Sequence, residues 1–338
     1  ADPYVERLLE GFSFLASRVQ LRIDAEFPRF TQHLLEIVYP HYLCQLPSMA
    51  VARFQPDLSE GGLAEGFDIP RQTSLRSVLG KGDQTACEYR TAQAVSLWPL
   101  EIAEAEYFTS MGKVSDIRIP HGRKIKSGFR LHLRATAGLK INQLALNRLE
   151  IYLQGNDEQP MRLYEQLFAH ATALVLRPAD GSKSWNEVLD PSHICQVGFD
   201  QEHALLRHGP RTFSGYRLLQ EYFAFPDRYL FVGFEGLQQA VQRCDASTIE
   251  LLVLFDNVDL ELENKVNASD IALFCAPVIN LFPKRADRIH LSGVSTEYHV
   301  VPDRTRPLDF EVYQITGVVG HGSSADEEQD FLPFYKCN

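Results

Sequence analysis

The chain has 338 residues, with 45% hydrophobic and 23% charged side chains and a net charge of −11. That length supports a large core and two or more domains. The acidic balance, with no Lys/Arg cluster longer than "GRKIK" (122–126), argues against nucleic acid as a partner, because phosphate contacts demand a basic face.

The first 46 residues read as a helical hairpin. Val5, Leu8, Phe12, Leu15, Val19 and Ile23 recur at steps of three and four, widened by Leu9, Phe14 and Leu21. Asp2 is placed to cap the first helix and Pro3 suits its first turn. Pro28 is expected to break it, after which Phe30, Leu34, Ile37 or Val38, and Tyr42 form a second stripe. Two short helices cannot bury both stripes, so they are expected to pack on the next domain or on another chain.

From Met49 the hydrophobic period changes to two. In "FRLHLRA" (129–135), Phe129, Leu131, Leu133 and Ala135 share one face, and Arg130, His132 and Arg134 the other. "RLEIYLQG" (148–155) and "VDLELE" (258–263) are read as half-buried strands in the same way, and "TIELLVLF" (248–255) as a strand covered on both sides. Helices are expected at about 161–171 and 216–225. The regular strand–helix alternation of a doubly wound sheet is missing. The expected fold class is therefore α+β and β-rich: a helical hairpin (1–46) followed by two mostly antiparallel β-domains (47–157 and 158–338) with short helices. "GHGSSADEEQD" (320–330) reads as a mobile acidic loop.

The stretch "YRLLQEYFAFPDRYLFVGF" (216–234) reads as helix, turn and strand. Tyr216, Leu219, Tyr222 and Phe223 fall on one helix face, and Phe225 before Pro226 ends the helix. That face suits either a core or a protein interface, whose centres favour Tyr, Phe and Arg.

Chemistry leaves little trace. The phosphate-loop, dinucleotide, zinc-protease and serine-elbow motifs are all missing from the sequence. His193, Cys195, His203 and His208 lie near one another in sequence, but nothing fixes a complete tetrahedral ligand set, and no metal or cofactor is expected. Glu101, Glu104 and Glu106 read as a solvated edge. The six cysteines are scattered and form no C-x-x-C pair, which fits reduced thiols in a cytosolic protein. No apolar run approaches membrane-spanning length, so no direct membrane insertion is expected. The opening "ADPYVERLLE" reads as an internal stretch of a longer protein.

Long ordered stretches carry a resemblance: "DPYVERLLEGFSFLASRVQLRIDAEFPRFTQHLLEIVYPHYL", "PSMAVARFQPD", "IPRQTSLRS", "GYRLLQEYFAFPDRYLFVGFEGL", "CAPVINLF" and "YHVVPDRTRPLDFEVYQITGV". They resemble the TssF family (also VasA or ImpG) of type VI secretion baseplate subunits, without the family's segment before "DPYVERLLE" or its large C-terminal region. The resemblance implies a structural, non-enzymatic role and no catalytic residue. It implies a wedge in which a second TssF copy and TssG join, with TssK and TssE engaged, around the VgrG spike and beneath the contractile sheath. It also implies a cytoplasmic location at a baseplate docked to the inner membrane. On that view Val5, Leu8, Phe12, Leu15 and Val19, with Tyr216, Tyr222 and Phe223, are the expected protein-interface residues. Two other classes compete. One is an enzyme with a site assembled from distant residues, which needs a cleft with convergent polar groups. The other is a sugar-binding β-domain, which needs an exposed aromatic platform from Trp98 or Trp185.

Overall fold

The computed structural model describes residues 2–331 except 58, 60, 83, 115, 116, 118–123, 156, 157, 180–184, 208–211 and 323–326. The fold is α+β with antiparallel sheets, as the alternating pattern predicts. By contacts the chain divides into two compact units. One comprises Ala1–Leu46, Leu206–Gln220 and Pro283–Asn338; the other comprises Pro47–Leu205 and Glu221–Phe282.

In the first unit, helix α1 runs unbroken over Pro3–Val38. The Asp2 side chain accepts from the Tyr4 N–H at 3.0 Å, and Pro3 occupies the first turn. The expected hairpin is not formed, because Pro28 lies inside this single helix. A proline there removes one donor to the residue four earlier. That residue is Asp24, exposed like Pro28 itself, so water can take the carbonyl; the Thr31 hydroxyl donates to the Pro28 carbonyl at 2.9 Å. Short strands Val318–His321 and Glu328–Phe331 pair antiparallel, so the stretch read as an acidic loop carries paired strands at both ends; its residues 323–326 lie outside the described residues.

The second unit holds the core. A five-stranded sheet has the order Glu187–Leu189, Ala171–Pro178, Thr248–Phe255, Ser127–Ala135, Leu100–Phe108. Its central strand Thr248–Phe255 is buried at every position but the first. Ile249, Leu251, Val253 and Phe255 join the main core, and Leu252 and Leu254 pack on the other face with Phe108, Val114 and Val175. A four-stranded sheet orders Ile194–Gln196, Phe231–Phe234, Leu149–Leu153, Ile271–Leu273. A second orders Met49–Arg53, Cys275–Ile279, Glu88–Thr91, Ser74–Arg76. Helices α2 (Gln159–Ala169) and α4 (Gln238–Arg243) belong to this unit, and α3 (Ser214–Ala224) starts in the Leu206–Gln220 segment of the first unit and ends in this one.

Two sequence expectations are corrected here. Strands from both sides of residue 157 share sheets: Ser127–Ala135 pairs along its whole length with Thr248–Phe255. A boundary at 157/158 would therefore cut one hydrophobic core. "VDLELE" is a turn and not a strand. The Asp259 carboxylate accepts from the Glu261 N–H at 2.9 Å and Lys265 pairs with Glu261 at 2.7 Å, local bonds that compete with a ladder.

Candidate interaction surfaces

The first surface is the length of α1. Its 36 residues span about 54 Å, and none of them is buried. Val5, Leu8, Phe12, Leu15 and Val19 are 53–75% exposed and repeat at the 3–4 spacing of a helical packing seam. Fully covering such side chains yields roughly 1.5–3 kcal/mol each. Five of them would offset most of the cost of association, on the order of 4–15 kcal/mol. At the helix end Tyr39 is buried; it stacks on Tyr216 with ring centroids 6.0 Å apart, and its hydroxyl donates to the Gln220 side chain. Burial pushes the Tyr39 phenol up, against the lowering effect of the Arg217 charge.

The second surface lies in the second unit, at the end of α3. Tyr222 and Phe223 are exposed and meet edge to face at 5.5 Å. Tyr222 also lies 6.2 Å from the buried Tyr229, and the Phe199 ring packs on Tyr229 in a tilted arrangement at 4.8 Å. Beneath these rings is a buried charge pair, Glu221 with Arg228, both without exposed surface. Arg228 donates to the carbonyls of Gly198 at 2.8 Å and His203 at 2.7 Å, and its guanidinium lies 4.8 Å over the Tyr229 ring.

Of the eight residues expected at interfaces, the structure exposes all. It gathers five on α1, brings Tyr222 and Phe223 into contact, and sets Tyr216 against Tyr39 and Phe213. Phe199, Tyr229, Glu221 and Arg228 were missed. A usable signal was present: Arg228 interrupts the apolar run "FPDRYLFVGF", and an arginine that must bury needs a carboxylate partner.

Among the described residues no group of three or more His, Cys, Asp or Glu side chains is arranged to hold a metal. Glu101, Glu104 and Glu106 face the adjacent strand, where they pair with Arg134, His132 and Arg130. Trp98 is buried against the main core and Trp185 lies under Arg243 at 4.7 Å, so neither offers an open sugar platform. His208 lies outside the described residues. Among the described residues no helix is long and apolar enough to cross a membrane.

This architecture is that of a type VI secretion system baseplate protein. It superposes with a TM-score of 0.74 and 29% identity on a chain of the type VI secretion system TssK–TssF–TssG baseplate subcomplex, covering 97% of this chain and 58% of that one. The family model described as type VI secretion system, TssF, matches residues 1–338. The chain belongs to the TssF family. It is 54% identical over 335 residues to the type VI secretion system component TssF1 of Pseudomonas aeruginosa, covering 99% of this chain and 54% of that protein. The chain thus spans about half the length of the curated relative it matches.

Proposed function

We propose that this chain serves as a structural part of a type VI secretion baseplate wedge, without catalytic activity. It assembles with TssG, TssK and a second copy of itself. TssE and VgrG join in the complete baseplate, which supports sheath assembly and contraction for effector delivery. It acts in the cytoplasm, at a baseplate docked to the inner membrane. The observation that carries this is α1: a 36-residue helix with no buried residue, bearing an apolar stripe that a monomer has no reason to leave in water. Family membership supports the same reading, as does the likeness to a chain solved in a TssK–TssF–TssG subcomplex. The Val5–Val19 stripe and the aromatic residues Tyr216, Tyr222 and Phe223 are the contact surfaces.

Co-expression with TssG from the same gene cluster, followed by size-exclusion chromatography with light scattering, tests this. A stable complex with two copies of this chain per TssG is the expected result. A monomer that elutes alone beside TssG would refute it for this chain.

A further inference from the structure

The aromatic cluster of the second unit has a defined chemistry. Tyr229 is a buried floor on which the more exposed rings of Phe199 and Tyr222 rest, and Phe223, 81% exposed, stands beside Tyr222. The cluster is ordered before anything covers it. Arg228 fastens the loop carrying Phe199, through the Gly198 and His203 carbonyls, to the end of α3 through Glu221. A prearranged aromatic surface loses little conformational entropy on binding. Carboxylates flank it closely in sequence: Asp200 follows Phe199, Glu202 lies three residues beyond it, and Asp227 sits two residues before Tyr229. All three are exposed, and none has an ion-pair partner among the described residues.

Exposed rings with exposed carboxylates one to five residues away in sequence complement one side chain above others. A guanidinium stacks flat on an aromatic face and donates in its own plane to a carboxylate; an ammonium offers no flat surface. From the exposed rings and the exposed carboxylates neighbouring them in sequence we infer that the Phe199–Tyr222–Phe223 patch docks an arginine-bearing segment of a partner protein. The net charge of −11 favours the same kind of partner. The inference rests on the baseplate reading, since the partner is sought within that assembly.

The test places the photo-crosslinking residue p-benzoylphenylalanine at position 223 in this chain co-expressed with TssG and TssK. The crosslinked peptide is then identified by mass spectrometry. The expected peptide contains arginine. The triple variant Asp200→Asn, Glu202→Gln, Asp227→Asn should lower crosslink yield roughly tenfold, the scale of a lost charge pair. It should also remove the salt dependence of the yield seen with native carboxylates, at an unchanged melting temperature. An assembled complex that crosslinks through a segment without arginine, to a second copy of this chain, or not at all would overturn the inference and leave the baseplate reading standing. Failure of any complex to form would overturn both.

Discussion

The Glu221 carboxylate accepts a hydrogen bond from the backbone N–H of Leu205 at 3.1 Å, joining two points 16 residues apart in sequence. Both lie in the second unit, Leu205 where the chain leaves it and Glu221 where the chain returns. Arg228 neutralises the same carboxylate, so one buried acid closes the base of the 206–220 excursion. Removing one partner of a buried pair leaves the other charge unpaired, at about 3–5 kcal/mol. Glu221→Ala should therefore lower the urea-unfolding free energy by about that amount. The double variant Glu221→Leu, Arg228→Met should cost less than the two single changes added together. Strict additivity would mean that the two charges do not stabilise one another.

Glu250 sets an acid limit on stability. Burial, the largest single influence, pushes its carboxyl up. Hydrogen bonds and charge from His132 and Arg177 outweigh burial and hold it below the usual 4.5. A carboxylate lowered in the fold contributes stability above its unfolded pKa, and that contribution is lost as pH falls through the folded value. Unfolding free energy should therefore drop as pH falls from about 5. Glu250→Gln should be less stable at pH 7 and show a shallower acid slope. An unchanged slope in chemical denaturation would assign the acid limit to other carboxylates.

The exposed seam of α1 separates assembly from folding. Leu8 and Phe12 are not buried, so charge there should change stability by no more than about 0.5 kcal/mol. Leu8→Glu with Phe12→Glu should leave the melting temperature unchanged while abolishing co-elution with TssG. A large fall in melting temperature would show the stripe to be internal core.

Gly66 adopts φ +84°, and a Cβ there would stand 2.8 Å from the Trp98 ring. Backbone strain and steric conflict then act together. Gly66→Ala should destabilise by about 1–3 kcal/mol. Trp98 reports on this change directly, through its fluorescence during unfolding.

Local patterns were legible and long-range pairing was not. The alternation in Phe129–Ala135 and the double-sided apolarity of Thr248–Phe255 read correctly because each strand's faces are dictated by its own side chains. Nothing in "MAVAR" or "CAPVI" says that these two strands are neighbours. Pro28 misled because proline's intrinsic penalty was treated as decisive in a helix whose carbonyls stay accessible to water. Asp259 misled because its side chain bonds its own backbone. At the interaction surfaces the α1 stripe was legible as apolar but not as exposed, since a heptad looks the same in a core and at a contact. The Glu221–Arg228 pair was hidden because its bonds join residues by position in space.

The register that pairs Met49 with Ile279 and Arg53 with Cys275 has a consequence for synthesis. Translation proceeds at about 5–20 residues per second, so the first strand leaves the ribosome on the order of ten to forty seconds before its neighbour. For that interval a nascent chain presents an unpaired strand edge, the kind of surface that chaperones cover and that misfolding exploits. A ribosome stalled before Cys275 would carry that edge unclosed however long the chain waited.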